Sequence, residues 1–108
     1  MAVFDDFLKD LKGEVKGLVE SNWADVKAAA TKDAQALLRD NVDDLKKWTK
    51  LVADGKLTMD DLEFLLKGKN DLAKLTALKK AGLGKVRLDR FFDALVSTIL
   101  KVAARALL

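Results

Sequence analysis

The sequence contains no cysteine, histidine, tyrosine or proline. The missing cysteines exclude disulfide bonds and thiolate metal sites. Without histidine, cysteine or tyrosine, few side chains remain for acid–base or nucleophilic chemistry near neutral pH. We therefore expect a protein that is not an enzyme and that carries no cofactor. The missing proline removes the strongest helix breaker.

The residues that are present favour one helical domain. Half of the 108 residues are hydrophobic and 34% are charged, a balance typical of amphipathic helices around a core. The most apolar stretch, residues 91–108, is interrupted by Asp93, Lys101 and Arg105. A membrane-spanning helix needs about 20 mostly apolar residues, and the N-terminus lacks the features of a signal peptide. A cytoplasmic location is the default expectation.

Apolar residues recur every eleven positions over the first half of the chain. One series is Phe4, Val15, Val26, Leu37 and Trp48, and a second is Leu8, Val19, Ala30 and Val52, with Asn41 as its polar member. Eleven residues complete three helical turns at about 3.67 residues per turn. The pattern predicts a long amphipathic helix over about residues 2–54. We favour a continuous helix, with Asn22 and Asn41 as the positions at which it would bend or break.

Polar residues and glycines interrupt the predicted stripe. Asp33 falls on it, so the middle of the stripe is hydrated, bent or facing a polar partner, because an unpaired buried polar group costs about 1–3 kcal/mol. Gly13 and Gly17 lie four residues apart and share one helix face. We favour solvent-side positions for them, and the alternative is a place where another helix approaches closely.

Three shorter helices are predicted to follow, over about residues 58–68, 70–81 and 85–107. Gly55 can close the first helix in a left-handed conformation. Thr58, with Asp61 three residues later, can form a capping box. Short connections between helices make neighbours antiparallel. The predicted fold is therefore a single all-α helical bundle over residues 1–108.

Residues 54–61 are similar to the second half of an EF-hand calcium loop. The first and third ligand positions of such a loop would fall on Lys50 and Val52, which cannot coordinate calcium. Neighbouring aspartates such as Asp60 and Asp61 point about 100° apart on a helix and do not converge. We therefore predict no metal site and no catalytic carboxylate pair.

The last predicted helix has a wide apolar arc, which suggests burial on more than one side. A two-layer hairpin would leave part of that arc bare for a second copy or a partner helix. The candidate interaction surface consists of Phe91, Phe92, Leu95, Ile99, Val102 and Ala106.

Positive charge is concentrated between residues 67 and 90, where eight basic side chains face two acidic ones. Such an excess can attract an anionic surface, although lysines also serve as a solvated face. The candidate patch for an anionic partner consists of Lys67, Lys74, Lys79, Lys80, Lys85, Arg87 and Arg90.

These features lead to three hypotheses about function. The leading one is a helical interaction or structural protein that self-associates or docks a partner helix. The second is binding to an anionic membrane surface, because the eleven-residue periodicity resembles that of apolipoproteins and synucleins, without their repeated motifs. The third is a basic accessory protein that binds nucleic acid, which is disfavoured because no recognition helix or exposed aromatic ladder accompanies the lysines.

Overall fold

The computed structural model describes the backbone of residues 2–107 and the side chains of residues 4–107. All regular structure within this range is helical. The helices are α1 (Ala2–Asn22), α2 (Lys27–Asp40), α3 (Val42–Ala53), α4 (Met59–Lys67), α5 (Thr76–Lys80) and α6 (Lys85–Leu107). The predicted all-α bundle is confirmed.

The prediction of a continuous helix over residues 2–54 is wrong, because the helix breaks near both of the positions marked in the sequence. Trp23 and Asn41 have non-helical backbone angles, with φ values of −128° and −114°. A 3-10 turn, Ala24–Val26, joins α1 to α2. A straight helix of that length would extend about 80 Å, whereas the longest dimension of the protein is 42 Å. Folding the segment back lets its apolar residues meet one another as well as α6.

The helix predicted over residues 70–81 is also wrong in part. The structure has a 3-10 turn, Leu72–Lys74, followed by the five-residue helix α5. Between them Leu75 leaves the helical conformation, with ψ of 58°, and its side chain is buried. Burial of Leu75 in the core therefore interrupts a segment that would otherwise be long enough for one helix.

The local signals for helix ends behave as the sequence predicts. Gly55 has a φ of +75°, which L-residues with a side chain rarely adopt. The Thr58 hydroxyl accepts a hydrogen bond from the Asp61 N–H at 3.0 Å. The Asp61 carboxylate accepts one from the Thr58 N–H at 3.1 Å. This reciprocal pair forms the predicted capping box at the start of α4.

Helix α6 lies at the centre of the bundle and contacts α1, α3 and α4. It runs antiparallel to α1, because Arg105 near its end pairs with Asp10 and Phe91 near its start meets Trp23. The Trp23 and Phe91 rings are 5.2 Å apart in an edge-to-face arrangement, a favoured aromatic geometry. In the described part of the chain, no helix has both the length and the hydropathy required to cross a bilayer.

Candidate binding groove

The surface predicted on the last helix lies inside the protein's own core. Its buried members are Phe91, Phe92, Leu95, Ile99 and Val102. Ala106 is the exposed member of the set. This prediction needs correction, because the bundle surrounds α6 on several sides where a two-layer hairpin would leave one side bare. The five buried residues stabilise the fold and are not accessible to a partner.

The predicted anionic-partner patch is spread over four elements. Its members divide among α4 (Lys67), the second 3-10 turn (Lys74), α5 (Lys79 and Lys80) and α6 (Lys85, Arg87 and Arg90). Lys67 lies 2.8 Å from Glu63, and this hydrogen bond and charge raise the pKa of Lys67. Arg87 lies 3.2 Å from Asp25 and stacks over the Trp23 ring. The other five are exposed and form no ion pair among the described side chains.

Polar residues on the long apolar stripe find partners within the fold. Asp33, with only 3% of its surface exposed, accepts backbone N–H bonds from Ala77 and Leu78 at 3.1 and 2.8 Å. The Asn41 side-chain amide donates to the Leu37 carbonyl at 2.9 Å. No buried side-chain nitrogen or oxygen lacks a partner in the described range. Asp33 thus faces a polar partner, one of the three alternatives that the sequence left open.

Carboxylates do not gather into a metal site in the part of the chain that the structure describes. No group of three or more metal-binding side chains converges there. The other buried polar side chain, Thr49, donates its hydroxyl to the Leu45 carbonyl at 2.7 Å. Both buried polar residues therefore serve the fold.

A groove of about 880 Å³ opens between α1 and the segment formed by α2 and the start of α3. Its apolar lining consists of Leu8, Val15, Val19, Leu38 and Val42, and its uncharged remainder of Gly13, Thr31 and Gln35. Two smaller hollows of about 80 and 20 Å³ elsewhere can hold only a few water molecules. The groove, by contrast, is as large as typical ligand sites.

Every charged side chain that lines the groove is basic. These are Lys12 and Lys16 on α1 and Lys27 and Arg39 on α2. The three lysines form no ion pair among the described side chains, and Arg39 lies 3.7 Å from the exposed Asp40. The two walls of the groove thus carry positive charge on either side of an apolar floor.

Two acidic residues of α1, Asp10 and Glu14, lie on a different face of the helix from the lysines of the groove. Asp10 and Glu14, four residues apart, point toward α6, where Asp10 lies 2.8 Å from Arg105 and Glu14 lies 3.3 Å from Lys101. The hydrogen bond and charge of Asp10 raise the pKa of Arg105. Lys12 lines the groove instead. These two carboxylates therefore pair with α6 and do not face the groove.

Because Gly13 has no side chain, the α1 backbone is uncovered near the middle of the groove. A methyl group built at Gly13 would meet no atom within 4 Å, and the same is true of Gly17. Gly13 lines the groove, and Gly17 is not among its lining residues. The space over Gly13 lets another backbone approach closely, as in the alternative interpretation of the two glycines.

Sequence reasoning missed the groove. The only local signals were Lys12 and Lys16, four residues apart, and Gly13 between them. Lys27 and Arg39 become neighbours of α1 only because the chain reverses at Trp23. Periodicity predicted a stripe along one straight helix and therefore could not place the two walls opposite each other.

Comparison with protein-family models, with curated proteins and with solved structures gives no match to this chain.

Proposed function

We propose that this chain is a non-enzymatic interaction protein that docks a helix of a partner protein in the groove between α1 and α2. The groove carries the proposal, since it joins an apolar floor to walls of two helices. From Leu8 to Val19 the α1 wall is about 16 Å long, at roughly 1.5 Å per residue. That length matches three turns of a docked helix, the recognition mode in which an amphipathic helix lays its apolar face in a groove. A cytoplasmic location is part of the proposal and rests on the sequence alone.

The test is a selection of 16-residue helical peptides from a displayed library against the whole protein. Leu8 and Val42 line the groove and are only half-buried, so Leu8→Asp and Val42→Asp change the floor without opening the core. Peptides enriched on the wild-type protein should bind each variant at least tenfold more weakly. The matched control is Phe64→Asp on α4, where the side chain is 79% exposed and should not affect peptide binding.

Circular dichroism and thermal melting of each variant verify that the helices persist. If both variants stay folded and bind every selected peptide as tightly as the wild-type protein does, the groove is not a docking site. Light scattering completes the experiment. A dimer that disappears in Leu8→Asp would place a second copy in the groove and contradict the assignment to a different protein.

The two glycines supply an independent check on close approach. Alanine should stabilise α1 by up to about 1 kcal/mol at either position, because it is the better helix former and the free protein has room for it. Gly13→Ala should nevertheless weaken binding of the selected peptides, whereas Gly17→Ala should not. Equal binding by both variants would show that the partner does not come close to the α1 backbone.

A second candidate function, attachment to an anionic membrane surface, is favoured by one exposed apolar side chain. Val86 is 65% exposed in the first turn of α6, next to Lys85 and one short turn after Lys79 and Lys80. An apolar side chain among lysines can enter the headgroup region while the lysines bind anionic lipids.

Flotation with phosphatidylglycerol vesicles at low salt tests this candidate. Binding should be lost on joint replacement of Lys79 and Lys80 by glutamine. It should persist when the exposed Lys46 and Lys47 of α3 are replaced in the same way. If the protein fails to float with these vesicles, the membrane candidate is ruled out and the groove is unaffected.

A further inference from the structure

We infer that the partner helix is acidic: it carries carboxylates on both sides of an apolar stripe about three turns long. This inference rests on the proposed function and specifies its partner.

The groove is positively charged on both walls, and none of its described lining residues is acidic. Lys12 and Lys16 stand on one wall, and Lys27 and Arg39 on the other. Lys12, Lys16 and Lys27 form no ion pair among the described side chains, and Arg39 lies 3.7 Å from the exposed Asp40. The groove is therefore a place where unneutralised charge adjoins apolar surface, and a cationic or neutral helix would leave that charge unpaired while covering it.

The spacing of the cations fits a helix and defines where its carboxylates lie. Lys12 and Lys16 are one turn apart on α1, about 6 Å along its axis at roughly 1.5 Å per residue. A helix lying along the groove presents side chains at positions i and i+4 with the same separation. Glutamates at such positions on one side of a leucine stripe would meet Lys12 and Lys16. On the other side, carboxylates about three turns apart would meet Lys27 and Arg39, which are twelve residues apart on α2.

The shape of the groove argues against two other anions. A bilayer presents a plane, whereas the half-buried apolar residues of the groove, Leu8 and Val42, line a space between two helical walls. Single-stranded nucleic acid stacks its bases on aromatic side chains, and the described lining of the groove has none. A helix with an apolar stripe can contact Leu8, Val42 and the cations together.

The test uses the peptides that emerge from the selection. Their flanking positions should be rich in glutamate and aspartate. For one such peptide, synthetic versions are made with the same apolar stripe and with Glu, Gln or Lys at the flanks. Fluorescence anisotropy should give affinities in the order Glu, Gln, Lys, with the Glu version at least tenfold tighter than the Lys version at 50 mM salt. The difference should shrink at about 500 mM salt, because exposed charge pairs are screened.

Charge reversal in the protein supplies the reciprocal experiment. Joint Lys12→Glu and Lys16→Glu substitution should weaken binding of the Glu-flanked peptide about tenfold or more and should strengthen binding of the Lys-flanked one. The matched control reverses Lys46 and Lys47 on α3, which do not line the groove, and should change neither affinity.

The outcomes separate this inference from the proposed function. If the selected peptides bind through Leu8 and Val42 but carry neutral or basic flanks, or if the three versions bind alike, the acidic partner is wrong and helix docking stands. If no peptide depends on the groove, the proposed function itself fails. If Lys12→Glu with Lys16→Glu abolishes flotation with phosphatidylglycerol vesicles and the vesicles displace the peptide, the groove serves a lipid and the inference is overturned.

Discussion

Asp33 shows how one side chain can set the local structure of a distant segment. Its buried carboxylate binds two N–H groups of α5, more than forty residues away in sequence. Helices begin with N–H groups that have no partner in the helix, and a carboxylate is a strong acceptor for them. A five-residue helix is too short to be stable by itself. Asp33 therefore holds α5 in place while it satisfies its own buried charge.

Replacing Asp33 by alanine should lower the free energy of unfolding by about 2–3 kcal/mol, since charged hydrogen bonds are lost and backbone N–H groups are left unpaired. Asp33→Asn retains one acceptor and the side-chain volume, so it should cost less. Urea denaturation measures both values, and hydrogen exchange should quicken at Ala77 and Leu78. A loss below about 0.5 kcal/mol in Asp33→Ala would show that the carboxylate does not organise α5.

Asp54, at the end of the first half of the chain, gives a dependence on pH. Lys50 donates a hydrogen bond to its carboxylate at 2.9 Å and adds its positive charge, and together these lower the pKa of Asp54. A lowered pKa in the folded state contributes stability that is fully present above the pKa of the unfolded chain. That contribution disappears as the pH falls through the lowered pKa.

Carboxyl NMR titration should show that Lys50→Gln raises the pKa of Asp54 back toward its ordinary range. Lys56→Gln should raise it less, because Lys56 acts only through its charge and ranks below Lys50. The prediction is wrong if Asp54 titrates at the same pH in wild type and in Lys50→Gln.

At the scale of the helix, α1 is the element on which the proposed function depends. One of its faces enters the core, a second carries acidic residues that pair with α6, and a third carries lysines that line the groove. Each of these three faces of α1 meets a different environment, because α6 and α2 pack at different angles around the helix. The two charged sets are offset by two residues in sequence, Asp10 and Glu14 against Lys12 and Lys16, which places them about 200° apart on the helix at 3.6 residues per turn.

The two breaks in the first half of the chain have different local causes. Near Trp23 the chain exchanges helical hydrogen bonds for burial of the indole against Phe91. At Asn41 the side-chain amide and the backbone N–H both bond to the Leu37 carbonyl. Asparagine competes well with the helical pattern because its side chain can bond to nearby backbone groups. This explains why Asn41 marks the second break correctly, whereas the first depends on burial of Trp23.

For the whole molecule, some features follow from the residues alone. Helical periodicity, the glycine at position 55 and the Thr58–Asp61 capping box depend on interactions within about four residues. They predicted α4 and α6 nearly to their ends, and they predicted the all-α class. The composition also determined which side chains are available, so the expectation of a non-enzymatic protein stands as a prediction from the sequence.

The tertiary structure decided which side chains are buried and which helices bury them. Whether Phe91 is a docking residue or a core residue depends on how many helices surround α6, and that number is set by all helices competing for apolar surface at once. The same competition folded α2 back along α1 and opened a groove with Lys12 and Lys27 on opposite walls. Hydrogen bonds within a helix are local and can be read along the chain, whereas burial is a property of the entire packed molecule and the groove appears only when the chain has folded.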